Sequence, residues 1–226
     1  IDLYGEFDIT GDSKDISGIE FTQTLTTFAG GTISGVGNCF GIAFYDLLRI
    51  GGDTVSITGT IVYDSIPCES SFNVGIYFNR DILVSSGTLE LNGNVNPLPK
   101  VEESYGIFFN MISITVSSSS FLSSIGSCSS LSMCYGTKMQ QSTVSYSGLV
   151  SCAVNFEGGI YENAEGIGFM FTSNIVNDIC VNGIVSLTST SYTSATAIFF
   201  DDMGIGGDAT DSQFSASFGT STVSGL

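Results

Sequence analysis

Hydrophobic residues recur along this chain in a four-residue block, Gly-Ile-x-Phe, in which position x varies. The block occupies residues 18–21, 41–44, 75–78, 106–109 and 166–169, and related blocks occupy residues 136–139 and 197–200. From residue 75 onward, successive blocks begin 31, 30, 30 and 31 residues apart. A steady period of this length indicates stacked copies of one supersecondary unit.

A second apolar element lies between the blocks: an aliphatic residue, a polar residue and glycine, at 9–11, 33–35, 57–59 and 91–93. Around it apolar and polar residues alternate, and this period of two predicts strands with one buried face. Helical periodicity is missing almost everywhere. The inward residues of stacked blocks are predicted to form two ladders, one of Ile42, Ile76, Ile107 and Ile167 and one of Phe44, Phe78, Phe109 and Phe169.

These patterns predict an all-β fold, a right-handed parallel β-helix (β-solenoid) with coils of about 23–34 residues. Each unit alone leaves its apolar face uncovered, and stacking on its neighbours buries that face. We expect one domain over 1–226, with a cap or partial coil at 1–17, repeat coils at 18–200 and a terminal coil or cap at 201–226. The alternative is the β-sandwich or jelly roll of a filament subunit, completed by a strand from a neighbouring subunit.

The block glycines lie where a turn feeds a strand. Such positions require either a positive φ or room for a closely approaching backbone. Length variation is concentrated in residues 61–74 and 94–100, which are predicted to be surface loops and the place where binding would reside.

The units at 41–60 (GIAFYDLLRIGGDTVSITGT) and 75–94 (GIYFNRDILVSSGTLELNGN) resemble the coils of filamentous-haemagglutinin-like and autotransporter passenger adhesins. The resemblance covers about residues 5–200. It implies a right-handed parallel β-helix that is exported to the cell surface and acts in attachment. A second likeness, to chlamydial polymorphic outer-membrane passengers, is carried by residues 30–33 and 171–174.

The charge balance limits the partners. Twenty-two acidic and five basic residues give a net charge of -17, which disfavours nucleic acid and anionic membranes, because phosphate binding depends on Lys and Arg. No apolar segment is long enough to span a bilayer, so membrane insertion is not expected. The chain has no histidine, which excludes Ser-His-Asp and Cys-His nucleophile systems and His-ligated zinc.

The six cysteines are even in number and form no C-x-x-C pair, so they predict disulfides formed in an oxidising compartment and therefore secretion. The chain also begins at Ile1 without a basic leader, as expected of a processed protein or an excised fragment. Fifteen connectivities are possible, and buried free thiols are the alternative. The spacing favours the pairs Cys152–Cys180, Cys128–Cys134 and Cys39–Cys68.

Candidate chemistry is confined to carboxylates. Asp201, Asp202, Asp208 and Asp211 lie in a glycine-rich stretch that could wrap calcium, against the alternative of solvated turn carboxylates. No other cofactor is expected. Adjacent residues of a strand point to opposite faces, so Asp201 and Asp202 cannot flank one glycosidic bond as a catalytic pair. The chain also lacks the Gly-His-Gly and Arg-x-Lys motifs of galacturonase-like β-helices, and we expect it not to be an enzyme.

The function predicted from the sequence is that of a secreted, surface-exposed structural or adhesive protein that displays loops on a rigid β-rod. Its expected partners are a glycan or protein on a host or neighbouring cell, or copies of itself. The alternatives are a self-assembling extracellular filament subunit and a carbohydrate-active β-helix.

Overall fold

The structure is a computed structural model that describes residues 2–6, 17–22, 25–62, 72–96, 103–129, 133–147, 153–160, 164–170, 174–176, 180–187, 195–201, 204–206 and 213–220. The regular elements of this part of the chain are all strands. They are β1 (Asp2–Glu6), β2 (Ser17–Phe21), β3 (Thr26–Phe28), β4 (Gly31–Gly37), β5 (Phe40–Phe44), β6 (Leu48–Ile61), β7 (Phe72–Phe78), β8 (Ile82–Val95), β9 (Glu103–Asn110), β10 (Ser113–Val116), β11 (Ser120–Cys128), β12 (Met133–Gln140), β13 (Thr143–Tyr146), β14 (Val154–Ile160), β15 (Ala164–Met170), β16 (Asn174–Val176), β17 (Cys180–Leu187), β18 (Ala195–Phe200), β19 (Gly204–Gly206) and β20 (Gln213–Thr220).

The strands wind into seven coils, each with a first, a second and a third strand position. The coils are β2–β4, β5–β6, β7–β8, β9–β11, β12–β14, β15–β17 and β18–β20, and β6 and β8 each run through both the second and third positions. The seven first strands form one sheet, and the second and third strands form a larger one. β1 pairs with β4 in the third-strand position of a preceding turn.

Strand pairing confirms the predicted parallel β-solenoid. Each first strand pairs in parallel with the first strand of the next coil, and the second and third strands do the same. The β-sandwich alternative is wrong, because its hairpins would pair antiparallel strands and the described strands contain no such pair. Residues 201–226, predicted as a terminal coil or cap, contain β19 and β20 of coil seven.

The Gly-Ile-x-Phe blocks form the first strands, and in coils two, three and four their Ile and Phe side chains are buried in two rows of the core. The rings of Phe21, Phe44, Phe78 and Phe109 stack at centroid distances of 4.7, 4.9 and 5.3 Å. Parallel pairing puts equivalent residues of successive coils side by side, so like side chains pack on like. By strand register, the isoleucine row is Ile19, Ile42, Ile76, Ile107, Thr137, Ile167 and Ile198, and the phenylalanine row is Phe21, Phe44, Phe78, Phe109, Met139, Phe169 and Phe200. Phe200, in the last coil, is 44% exposed.

Glycine is required where first and third strands touch backbone to backbone, both within one coil and between neighbouring coils. A Cβ added to Gly93 of β8 would lie 2.0 Å from the carbonyl oxygen of Gly106, and one added to Gly41 would lie 2.4 Å from the amide nitrogen of Thr60. This contact is the close approach expected of the block glycines. The described glycines with positive φ are Gly30, Gly31 and Gly87, which lie instead near the corner between second and third strands.

The third-strand glycines form a row of their own, and its first member differs from the sequence expectation. Leu3-Tyr4-Gly5 of β1 pairs with Ile33-Ser34-Gly35 of β4, whereas residues 9–11 lie outside the described residues. The row continues through Gly59, Gly93, Gly126, Gly158 and Gly183 to Ala216.

Candidate functional surfaces

The predicted calcium site falls largely outside the described residues. Asp201, at the end of β18, is half-buried, while Asp202, Asp208 and Asp211 are not described. Within the described part of the chain no group of three or more Cys, Asp or Glu residues is arranged to hold a metal ion. The predicted binding loops at 61–74 and 94–100 also lie largely outside it. The surfaces that can be assessed are therefore the outer faces of the two sheets.

The outer face of the third strands, the open face, is a regular array of polar side chains. Ile33, Ile57 and Leu91, each on its own strand, point into the core, and the residues on either side of each one point to solvent. Outward residues of successive coils pair side by side in three rows. The middle row is Ser34, Thr58, Asn92, Ile125, Glu157 and Asn182; the flanking rows are Thr32, Ser56, Glu90, Ser123, Asn155 and Cys180, and Val36, Thr60, Asn94, Ser127 and Gly159.

Hydrogen bonds link neighbouring coils within the flanking rows. The Ser56 hydroxyl donates to the Glu90 carboxylate at 2.6 Å, and the Ser127 hydroxyl donates to the side-chain amide oxygen of Asn94 at 2.6 Å. The middle row differs, because the side chains of Ser34, Thr58 and Asn92 make no hydrogen bond to the described residues. Their donors and acceptors face solvent and are available to a ligand.

Two apolar side chains interrupt the polar array on β11. Phe121 is 49% exposed and lies beside Thr88, and Ile125 is 40% exposed and lies beside Asn92. Gly159 in the next coil leaves open space where a side chain would stand. An exposed ring beside hydroxyl and amide groups is a combination common in recognition surfaces, because the ring supplies contact area and the polar groups supply orientation.

The outer face of the first strands, the closed face, consists largely of buried, mostly aromatic side chains. The sequence did not lead us to predict it. Tyr105 and Phe108 pack in an outer cluster whereas Ile107 and Phe109 pack in the core, so the alternation of sides shifts at Gly106. The residue before each block glycine and the residue at position x therefore share the outer side. The signal was present as aromatic residues at both positions. The buried members of this aromatic cluster are Ala43, Val74, Tyr77, Tyr105, Phe108 and Tyr135.

A lysine is buried in the aromatic cluster. The Nζ of Lys138 lies 4.8 Å from the ring centroids of Tyr105 and Tyr135 and 5.5 Å from that of Phe108, and only 6% of the residue is exposed. It donates to the Tyr105 hydroxyl at 3.2 Å and lies 3.9 Å from the Glu103 carboxylate. Three aromatic faces and a carboxylate compensate for the lost hydration of the ammonium group.

Tyr105 links this lysine to Glu103. Its hydroxyl donates to the Glu103 carboxylate. Burial raises the pKa of the Tyr105 phenol, and the hydrogen bond to Glu103 and the charge of that carboxylate raise it further. The phenol is therefore protonated at neutral pH and serves as a structural hydrogen-bond donor.

One predicted disulfide, Cys128–Cys134, is confirmed. It joins the end of β11 to the start of β12 with a Cα–Cα distance of 5.9 Å. Cys39 and Cys180 are also disulfide-bonded, and no described cysteine is a free thiol, so the free-thiol alternative is wrong for these four residues. The predicted partners Cys68 and Cys152 lie outside the described residues.

The described residues contain no helix long and apolar enough to cross a membrane. The chain matches no protein-family model, no curated protein and no solved structure. The class of protein defined here is therefore that of the fold, a parallel β-solenoid.

Proposed function

We propose that this chain is a secreted, surface-exposed adhesive protein that binds a cell-surface glycan or protein through its open face. The observation that carries the proposal is the middle row of that face. Ser34, Thr58 and Asn92 lie side by side on three adjacent coils and reach solvent, and their side chains make no hydrogen bond to the described residues.

The sheet holds these groups at fixed spacing. Adjacent strands lie about 4.8 Å apart, so a ligand with regularly repeated polar groups would meet similar donors and acceptors on successive coils. Many weak contacts made in parallel give useful avidity. Seven stacked first strands span only about 29 Å at this spacing. The proposal therefore relies on a rigid, flat face and not on reach.

Charge narrows the ligand class. Within the three rows named above, the charged residues are Glu90 and Glu157, both acidic, and the chain carries a net charge of -17. Anionic polymers would be repelled. A neutral glycan or a neutral or basic protein surface fits better. The disulfides support secretion, because such bonds persist in oxidising compartments.

Glycan and protein arrays probed with the purified chain, together with electron microscopy of the same sample, test this proposal. Saturable binding by discrete particles supports adhesion. Long regular filaments without array binding contradict it and favour the alternative, a self-assembling filament subunit. The same measurements with and without calcium test the predicted cation. The absence of catalysis and of any other cofactor stays a prediction.

A further inference from the structure

Coil five keeps only the glycine of the repeated block. Where coils two, three and four carry Gly-Ile-x-Phe, coil five carries Gly136-Thr137-Lys138-Met139. Thr137 and Met139 occupy the isoleucine and phenylalanine rows, so the stack of parallel rings ends at Phe109. The two apolar ladders therefore determine which coil packs against coil five less specifically than they do for coils two to four.

Directional contacts replace them at this junction. Lys138 reaches across to Tyr105, Phe108 and Glu103 of coil four. The disulfide Cys128–Cys134 ties the end of coil four to the start of coil five. Within coil five, the Thr137 hydroxyl donates to the Glu157 carbonyl oxygen at 2.9 Å.

We propose that Lys138 fixes the stacking order of the solenoid, making coil four, and not coil three, the neighbour of coil five. The ladders and the glycine contact cannot make this distinction, because Gly75, Ile76 and Phe78 of coil three repeat Gly106, Ile107 and Phe109 of coil four. A chain that stacked coil five on coil three would keep its apolar rows and leave coil four out. Such misassembly is a characteristic failure of repeat proteins.

The lysine discriminates between the two coils because its carboxylate and hydroxyl partners, Glu103 and Tyr105, belong to coil four. In coil three, Phe72, Val74 and Tyr77 stand at the positions of Glu103, Tyr105 and Phe108. Stacking on coil three would remove the carboxylate and the Tyr105 hydroxyl, and the ammonium group would be buried without its ion partner, which is unfavourable. Single buried polar residues fix register in coiled coils by the same physics.

The test is the homogeneity of the refolded chain. Wild type, Lys138→Met and Lys138→Arg are reduced, denatured and refolded under oxidising conditions, and hydrogen exchange of β9 is followed by mass spectrometry. Methionine keeps a similar length and contacts the rings through its sulfur. Because Glu103 is 40% exposed, water can replace its lost partner.

We expect one protected population for wild type and Lys138→Arg. For Lys138→Met we expect two populations, one of which has lost protection in β9. Tyr77→Phe, which removes a coil-three hydroxyl that accepts a hydrogen bond from Asn110 of coil four, is the matched control and should give one population. A single protected population for Lys138→Met would overturn the proposal. If Lys138→Met does not refold, Glu103→Gln decides: two populations support the proposal and one overturns it.

Discussion

At the scale of the residue, stability depends on which side of a strand a side chain occupies. Phe78 is fully buried in the ring row, whereas Phe121, also a phenylalanine within a strand, is half exposed on the open face. Comparing the two positions separates the effect of burial on stability from the effect of residue type.

Phe78→Ala should lower the free energy of unfolding by about 3–5 kcal/mol, because it removes a buried ring and leaves a cavity between its neighbours in the row. Phe121→Ala, the matched control, should change it by no more than about 0.5 kcal/mol. Urea denaturation followed by circular dichroism measures both. Equal losses would mean that the ladder is not the core of the molecule.

The requirement for glycine at particular positions can be tested in the same way. Gly93→Ala should cost about 1–3 kcal/mol, because the new methyl group would meet the backbone carbonyl of Gly106, which cannot move without disturbing both sheets. Gly159→Ala has open space and should be neutral or stabilising by up to about 1 kcal/mol. Thermal denaturation of the two variants checks this. A harmless Gly93→Ala would contradict the backbone contact between first and third strands.

Alkaline pH should weaken the fold through Tyr105. Its folded pKa is raised by burial and by Glu103, so the stabilisation is complete below the ordinary tyrosine pKa of about 10 and is lost as the pH rises above it. The loss is at most about 1.4 kcal/mol per pH unit for this group. Urea midpoints measured near pH 8 and pH 11 should fall more for wild type than for Tyr105→Phe. Equal falls would remove Tyr105 as the source.

At the scale of the element, the disulfide between coils four and five closes a short loop. The cysteines are six residues apart, and loop-closure entropy predicts about 2 kcal/mol of stabilisation. The double variant Cys128→Ala/Cys134→Ala should unfold at correspondingly lower urea concentration. A variant as stable as wild type would mean that the other coil contacts already fix this junction.

The strands could be predicted from the sequence because the pattern that indicates them is local. Alternation at 54–58 and the spacing of the Gly-Ile-x-Phe blocks predict β6 and the first strands directly. The outer aromatic cluster was missed because it depends on the shift of sides at Gly106, which results from contact between two distant strands. The environment of Lys138 was missed for the same reason. A basic residue in a polar region gives no local sign that three rings surround it.

At the scale of the whole molecule, the chain is an acidic solenoid with one closed and one open face. The closed face carries Lys138, which we propose fixes the order of the coils, and the open face is the proposed binding surface. Net charge and a general loss of stability would both affect binding, so a test of the open face must hold them equal between variants.

The most direct test compares two double variants of equal charge for binding to the strongest array ligand of the wild type. Thr58→Lys/Asn92→Lys blocks the middle row of the open face, and Thr27→Lys/Thr115→Lys places the same charges on the outer side of the second strands. We predict at least a tenfold loss of affinity, about 1.4 kcal/mol, for the first pair and near wild-type affinity for the second. Retained binding by the first pair, or equal loss by both, would contradict the account.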